Sequence, residues 1–578
     1  MKLLLIALAS FILAASFLAV PAHVSEKEKD SAVLRVKRFA IRCSPVLADF
    51  DFTDTSSTIP LLQGWGNYRM PVTTGNDSAR IYFEQGINMY YGFHVIEALA
   101  SFERSVQLDH NFAMGYWGMA LSYGPNINDF GYSASPAALT AIHKAKDLST
   151  SIQPLEQALI EAMQVRYSPD SSQTREYLNQ LYADAMKKVF IKFPTDGDAG
   201  ALYADALMVQ HPWDLYSKEY VPRLWTAEIV HTLENVLARH PEHPGAEHYY
   251  IHAVEASEHP EAALNISRKL GLRMPGVAHV VHMPSHIFIR SGYYSEGVQS
   301  NEKAVKGYYN YLARFPAVVN NSPLYLIHNL HMQATCANMT GNYKSSMKAS
   351  LDCRNSFDTS FQSAPDYLGI FIQYVYMTPV LTQIRFGKWD EVLQLKPIST
   401  GYVYANYLLH YARGMAYARK KDFTGASAEL DSLKKLIASP QLKAPAPSYA
   451  NPGIAGAAVA EKILEGVMAE EQKQLPAAIN LLKAAVVLED SMIYNEPKDW
   501  VHPTRGYYGN ALLKAGKYHL AESVFKEDLF INPNNGWSLT GLAQAQSALG
   551  KKAIAAATTV RAKKAFAGSD LTITRAVF

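Results

Sequence analysis

Residues 504–535, TRGYYGNALLKAGKYHLAESVFKEDLFINPNN, decide the fold of this chain. Apolar and alanine residues recur at helical spacing on both sides of the turn sequence AGKY. Gly509 and Ala521 are small residues on either side of that turn, where they allow two antiparallel helices to approach closely. Pro533 stands where the second helix ends, because proline cannot continue a helix. The stretch therefore predicts a helical hairpin.

The hairpin pattern recurs at intervals of about 34 residues. In a copy that begins at residue 79, Gly86 and Ala98 take the places of Gly509 and Ala521. Other copies begin near residues 113, 373, 407 and 459. This period resembles that of the tetratricopeptide repeat (TPR) family. The resemblance covers residues 76–578 and implies an all-α fold, a TPR-type α-solenoid of stacked antiparallel helix pairs with a concave face.

Longer connections interrupt the repeat and predict an irregular superhelix that can close on itself. They fall at residues 125–160, 210–225, 310–326 and 352–370. The chain is also similar to a group of poorly characterised bacterial-type TPR proteins that carry HYYIHAVE, HMPSHI and HNLH segments. That likeness supports the repeat frame and implies no particular reaction.

The bulk composition describes a folded protein without a nucleic-acid partner. A chain of 578 residues is long for one globular core, so a repeat array fits its length. Hydrophobic residues make up 48% and charged residues 18%, which is typical of folded, soluble chains. The net charge of +2 and the lack of a long basic run give no reason to expect nucleic acid as a partner.

The N-terminus predicts an exported protein. In residues 1–22, MKLLLIALASFILAASFLAVPA, a lysine precedes an apolar run, and small residues precede a cleavage point after Ala22. These features indicate a secretory signal peptide and a periplasmic or secreted product, with no other membrane segment. The alternative is an uncleaved membrane anchor, because residues 3–20 are just long enough to span a bilayer. Residues 23–75 are then an extended segment before the solenoid.

Three cysteines are too few for a disulfide framework. In an exported protein Cys336 could pair with Cys353, which would leave Cys43 free. The sequence leaves that pairing open.

Histidines are concentrated in residues 247–290, EHYYIHAVEASEHPEAALNISRKLGLRMPGVAHVVHMPSHIFIR, and again in IHNLHM from residue 327. Aligning Gly292 and Gly341 with the turn glycine Gly516 places three repeat starts at residues 244, 278 and 327, in a His-rich part of the chain that spans about 244–350. In TPR proteins, positions 2, 5, 9, 12 and 13 of the first helix line the concave groove. The resemblance therefore puts seven histidines on that face: His248, His252, His279, His282, His286, His328 and His331.

This arrangement predicts a transition-metal site on the concave face. Histidines one helical turn apart can bind one ion through their ring nitrogens, and Glu255 adds a carboxylate on the same face. Such a site suits copper, zinc or iron better than magnesium or calcium. The predicted ligands are His248, His252, Glu255, His282, His286, His328 and His331. Asp205, His279 and Arg290 are predicted to support the site or line the groove, and Arg290 could hold an anionic group.

Two aromatic segments outside the histidine repeats carry weaker signals. Residues 210–216, QHPWDLY, interrupt a repeat; we interpret them as a packed linker, with a cap over the groove as the alternative. Residues 495–508, NEPKDWVHPTRGYY, are interpreted as the lead-in to a helix, with a polar lip to the groove as the alternative.

The sequence is compatible with three functions. The leading hypothesis is an exported TPR protein whose concave face binds a transition metal and a small molecule, with or without turnover. The second is an interaction scaffold that holds a peptide in the groove without a metal, as TPR grooves often do. The third is a metal store or chaperone. A Gly-rich phosphate loop with its lysine, a G-x-S-x-G elbow and an H-E-x-x-H pair are all missing from the sequence.

Overall fold

The described residues form helices joined in pairs by short turns, as the sequence predicts. The computed structural model describes residues 59–128, 136–314, 322–364, 366–447 and 450–578. In the first half the pairs are α1 (Asp77–Tyr91) with α2 (Val95–Leu108), α3 (Ala113–Ser122) with α4 (Pro136–Asp147), α5 (Pro154–Met163) with α6 (Arg175–Lys192), α7 (Gly197–Gln210) with α8 (Thr226–Arg239), and α9 (Pro244–Val254) with α10 (Leu264–Arg273).

The second half continues the same pairing. Helices α11 (Ala278–His282) and α12 (Pro284–Ser291) pair with α13 (Tyr294–Arg314), and α14 (Ser322–Thr340) pairs with α15 (Tyr343–Arg354). They are followed by α16 (Asp366–Tyr376), α17 (Thr378–Arg385) and α18 (Trp389–Leu393), then by α19 (Val403–Arg419) with α20 (Phe423–Leu436), α21 (Gly453–Glu471) with α22 (Leu475–Asp490), α23 (Thr504–Lys514) with α24 (Tyr518–Ile531), and α25 (Gly536–Ala548) with α26 (Lys552–Ala565). The fold is a TPR-type α-solenoid.

Close packing inside the hairpins explains the repeated small residues. A Cβ atom added to Gly509 would lie 2.5 Å from the Phe525 ring, and one added to Gly86 would lie 2.7 Å from the Phe102 ring. Each glycine therefore makes room for an aromatic side chain from the second helix of its own pair, because a larger residue would overlap with that ring.

The turns that set the repeat register have the expected left-handed backbone. Gly292 and Gly341 have φ values of 76° and 75°, which close a helix and favour glycine. Phe93 occupies the equivalent turn between α1 and α2 with φ of 58°, although it is not glycine. An aromatic residue held in this region is strained, and such strain is often found at functional sites.

The helices that carry the histidines depart from regular repeats in two ways. Pro284 stands at the start of α12 and divides the first helix of its repeat into α11 and α12, since proline cannot donate the hydrogen bond that would continue α11. Helix α14 begins at Ser322, five residues before the predicted start at 327. His282 and His286 thus lie on either side of a helix break.

The C-terminal repeats contact the histidine-bearing repeats. Trp537 Nε1 donates to the carbonyl oxygen of Asn338 over 3.2 Å. Tyr294 Oη donates to the carbonyl oxygen of Pro533 over 2.9 Å. All described residues belong to one compact unit, Ile41–Phe578. These contacts bear out the expectation that an irregular solenoid can close on itself.

The N-terminal predictions fall largely outside the described residues. The signal peptide of residues 1–22 and most of the 23–75 segment lie there. Of that segment, residues 59–75 are described and form turns and extended chain, with Trp65 and Met70 buried. Within the described part of the chain, no helix combines the length and apolar character needed to cross a bilayer. Cys336 and Cys353 are both buried free thiols.

Candidate metal centre

The structure brings six of the seven predicted groove histidines into two buried groups. The first group contains His248 and His252 from α9 and His279 from α11. The second contains His282 at the end of α11, His286 from α12 and His328 from α14. Within each group, one nitrogen from each ring lies within 4.8 Å of the others. The six side chains are between 0% and 6% exposed, so any ion bound here would be shielded from bulk water.

The first group is oriented by a backbone carbonyl. His248 Nδ1 lies 2.6 Å from the carbonyl oxygen of Tyr91, which can only accept a hydrogen bond, so Nδ1 carries the hydrogen. His248 Nε2 lies 2.9 Å from His279 Nε2. Phe93 covers the group, with ring centroids 4.4 Å from His248, 5.7 Å from His252 and 5.6 Å from His279.

The second group is oriented by an asparagine. Asn301 Nδ2 donates to the carbonyl oxygen of Gly297, so its Oδ1 faces His282 Nδ1 at 2.6 Å and accepts from it. His282 Nε2 then lies 2.9 Å from His286 Nε2. The His328 ring centroid is 4.7 Å from that of His282 and 5.5 Å from that of His286.

Glu255 lies between the two groups and contacts a histidine of each. Its Oε1 accepts from His252 Nδ1 over 3.2 Å, and its Oε2 lies 2.9 Å from His286 Nδ1. A second carboxylate, Glu496 Oε2, lies 2.6 Å from the same His286 Nδ1. The carboxylates therefore face the Nδ1 side of these rings. The sequence predicted Glu255 as a direct ligand, and Glu255, His286 and Glu496 do form a third group that could hold an ion. Towards the two histidine groups, the carboxylate of Glu255 is placed to orient the rings.

The charges of the two carboxyl groups differ because their neighbours differ. Burial opposes ionisation of Glu255, but the adjacent His286 and His252 outweigh it and lower the pKa of its carboxyl to about 2. Burial raises the pKa of the Glu496 carboxyl above its usual range, and His286 only partly offsets this effect. Tyr494 Oη donates to Glu496 Oε1. Glu255 is the permanently charged member of the pair.

Burial favours the neutral form of four of the six rings. It lowers the pKa values of His248, His279, His282 and His328 well below the usual range, and neighbouring rings add to the effect. Among the described residues, no hydrogen-bond partner reaches His252 Nε2 or either ring nitrogen of His328. Histidine binds metals as a neutral imidazole through one free ring nitrogen, while the other ring nitrogen donates a hydrogen bond to an acceptor that orients the ring.

His331 is placed apart from both groups. Its ring packs edge-on against Tyr374, with centroids 5.9 Å apart, and burial lowers its pKa to about 4. It belongs to none of the ligand groups formed by the described residues. Conversely, His279, which the sequence placed in a supporting role, contributes directly to the first group.

Arg290 has a structural role at the edge of the site. Its guanidinium donates to the carbonyl oxygens of Glu255 and Ser257 over 3.1 Å and 2.9 Å, and to that of Ile531 over 3.4 Å. These bonds hold the end of α9 and the C-terminal repeats together. The guanidinium is therefore engaged with backbone carbonyls, and its binding of an anionic group stays a prediction.

Asp205 lies one layer behind the histidines. It accepts from Tyr90 Oη over 2.9 Å. Burial raises the pKa of its carboxyl to about 6, although the nearby Arg166 and the bond from Tyr90 oppose the shift. Because its pKa in the folded protein is above that in the unfolded chain, the folded state loses relative stability as pH rises from about 4 to 6.

Replacing this residue should change the pH dependence of stability. We compare the free energy of unfolding of Asp205→Asn with that of wild type. When the pH is raised from 5 to 8, this difference should shift in favour of the variant by on the order of 1 kcal/mol, because the variant has no carboxyl to ionise. Urea unfolding of chelator-treated protein at both pH values measures the difference. The exposed Asp147→Asn is the control, and an equal pH response of the two variants would contradict the expectation.

A cavity of about 370 Å³ opens onto the second histidine group. His252, Glu255, His286, His328 and Glu496 form its inner wall. The loop between α7 and α8 supplies Trp213, whose ring centroid lies 5.4 Å from that of His252. The backbone of Trp213 has a left-handed φ of 61°. The loop after α22 supplies Tyr494. Residues 210–216 therefore help to cap the groove, where we had preferred a packed linker. Residues 495–503 lead into α23 as interpreted, and Asn495 and Glu496 also form a polar lip to the cavity.

The sequence did not reveal Glu496, Asn301 or Phe93 as parts of the site. Glu496 comes from a loop more than 150 residues beyond the last histidine of the two groups, and Asn301 comes from the second helix of its repeat. Phe93 offered one signal, since it stands at the turn position that several other repeats fill with glycine, as at Gly292, Gly341 and Gly516.

The fold and site together define a TPR-type α-solenoid with a buried cluster of histidines under loops and C-terminal repeats. No protein-family model and no curated protein matches the chain. Solved structures are similar over most of its length. Yeast Tom70 is 14% identical over 84% of this chain and 98% of its own, with a TM-score of 0.32. The human IFIT1 dimer with m7Gppp-AAAA is 12% identical over 86% and 91%, with a TM-score of 0.29. The P58(IPK) TPR domain is 13% identical over 82% and 98%, with a TM-score of 0.21.

Proposed function

We propose that this protein binds transition-metal ions through the Nε2 atoms of its buried histidines. One observation carries the proposal: the Nδ1 atoms of four of these rings face acceptors, and the Nε2 atoms of three of them, His248, His282 and His286, lie 2.9 Å from the Nε2 atom of another histidine. The acceptors are the Tyr91 carbonyl for His248, Glu255 for His252, Asn301 for His282, and the carboxylates of Glu255 and Glu496 for His286. Metal-binding histidines are held in this way in known sites.

The donor set favours copper, zinc or iron. Imidazole nitrogens suit these ions, while oxygen-rich sites suit magnesium or calcium. Two nitrogens at about 2.0–2.1 Å from one ion are about 2.9 Å apart at the right angle of a tetragonal copper site and about 3.3 Å apart at the tetrahedral angle of zinc. The Nε2 atoms of His248 and His279, and those of His282 and His286, are 2.9 Å apart.

The cavity favours a small molecule as the second ligand of the protein beside the metal, bound with or without turnover. The alternative is a peptide-binding scaffold, the common use of a TPR groove. Against it, the concave positions with the histidines are buried, and a peptide could reach them only by displacing the loops that carry Trp213 and Tyr494. A small molecule needs no such rearrangement.

X-ray absorption at the metal edge tests the proposal. After loading with zinc or copper and desalting, we expect a shell of nitrogen atoms at about 2.0–2.1 Å with the multiple scattering of imidazole rings. A shell of sulfur atoms, or of water oxygens alone, would show that the metal binds elsewhere. If no ion is retained, the 2.9 Å contacts are hydrogen bonds between histidines, and the peptide scaffold becomes the better hypothesis.

We also propose that the chain is exported and loses residues 1–22. The support is the N-terminal sequence itself, with its apolar run and small residues before the cleavage point. Intact-mass measurement of the natural protein should give a chain that begins at His23. Recovery of the uncleaved chain from the membrane fraction would instead support the N-terminal anchor.

A further inference from the structure

We infer that the site holds two ions in unlike positions, one more enclosed and one open to the cavity, and that the open ion takes a small aromatic molecule with a nitrogen or oxygen donor. The inference rests on the proposed metal binding and adds the number of ions, their accessibility and the class of ligand.

The two histidine groups are adjacent but distinct. The ring centroids of His252 and His286 are 6.2 Å apart, and those of His279 and His282 are 6.3 Å apart. Each group has its own pair of Nε2 atoms at 2.9 Å. Glu255 lies between them with one oxygen towards each group. Three imidazoles are a sufficient set for one transition-metal ion.

The first group is the more enclosed of the two. His248 and His279 are fully buried and do not line the cavity, and of its three rings only that of His252 reaches the cavity wall. The Phe93 ring, within 6 Å of all three histidine rings, covers them from the side of α1. The strained turn that holds Phe93 in place suits a lid that excludes water and ligands. An ion here would have protein ligands only.

The second group is open. His286 and His328 line the cavity, and both nitrogens of His328 lack a partner among the described residues. Three histidines leave a coordination position for an incoming molecule, as in metal sites that bind exchangeable ligands. Glu496 stands beside that position, with its pKa raised by burial.

The outer walls of the cavity select the ligand. They are formed mainly by aromatic and apolar side chains, namely Ile127, Met208, Trp213, Leu215, Tyr216 and Tyr494. Both cations at the cavity have carboxylate neighbours: Arg223 is paired with Asp214 at 2.8 Å, and Lys218 lies 3.8 Å from Glu219 near the surface. The volume fits a small molecule with one or two rings. A flat ring with one donor atom meets both the metal and these walls.

Cobalt-loaded full-length protein and the probe 4-phenylimidazole test the inference. Wild type should bind two equivalents of Co²⁺, while His279→Asn and His328→Asn should each bind one. The probe should shift the visible spectrum of wild type and of His279→Asn, and leave His328→Asn unchanged. It should bind at least about tenfold more tightly than imidazole, because its phenyl ring is buried. Trp213→Ala should remove most of that gain, and Trp225→Ala, on the same loop but outside the cavity wall, should keep it.

The cobalt and probe measurements distinguish a failure of the two-ion inference from a failure of metal binding itself. No bound cobalt would overturn both. One equivalent in wild type would overturn the two-ion inference and leave metal binding intact. Two equivalents with no response to the probe, or with no advantage over imidazole, would overturn the open aromatic site. Helical circular dichroism confirms folding, and His248→Asn serves in place of His279→Asn if that variant does not fold.

Discussion

Replacing His282 and His286 together with alanine is expected to lower the affinity for the metal of the cavity-facing group by at least about a hundredfold. The double variant removes both Nε2 atoms of the 2.9 Å pair and leaves His328 as the only histidine of that group. Competition against a chromophoric chelator measures the affinity at a defined free-metal concentration.

The matched control is the double variant His259→Ala/His519→Ala. Both residues are exposed, so the number of histidines lost is the same while the buried cluster is untouched. Equal loss of affinity in the two double variants would contradict the assignment, because it would point to surface histidines. Circular dichroism should show unchanged helix content for both proteins.

Glu255→Gln is expected to weaken both histidine groups by about 10–100-fold. A glutamine has one oxygen that can accept from His252 or His286, and its amide group would face the other ring with a donor. One ring of each group is oriented by Glu255, so the loss should appear in both metal equivalents. Glu496→Gln should affect only the cavity-facing group, since Glu496 contacts His286 alone among the histidines.

Stepwise metal titration of these variants distinguishes the two carboxylates. Glu261→Gln is the control, because Glu261 also pairs with a histidine Nδ1, that of His259, but at the surface. An unchanged affinity in Glu255→Gln would show that Glu255 does not orient the ligands. A loss limited to one equivalent would show that it does not link the two groups.

Most of the fold could be predicted from the sequence because each hairpin repeats the same local requirements. Gly292 and Gly341 marked turns that need a left-handed backbone, and Gly509 marked a close approach to an aromatic ring. Both features depend on residues near in sequence. The break at Pro284 was visible as a proline, but a 34-residue frame treats the helix as continuous.

The site was predictable only where it follows the repeat register. Six histidines project from the first helices of consecutive repeats, so their convergence follows from periodicity. His331 shares the register with His328 yet packs against Tyr374, because neighbouring residues decide which side of the helix faces the cluster. Glu496 and Trp213 come from loops between repeats, and no period predicts the path of a loop.

The role of Glu255 also required the structure. Sequence spacing places its carboxylate on the same helix face as His252, which suggested a ligand. The structure adds His286 on its other side and shows that both rings present Nδ1 to it. A carboxylate that faces the Nδ1 atoms can orient both rings without binding an ion.

Elemental analysis of the tag-free purified protein tests the central claim most directly. We expect copper, zinc or iron at one or more equivalents per chain, bound through the buried histidines, and a lower content in a His282→Ala/His286→Ala variant that keeps its helix content. Wild-type protein that holds no metal, even after incubation with each ion and desalting, would contradict the claim and leave the groove as a peptide-binding surface.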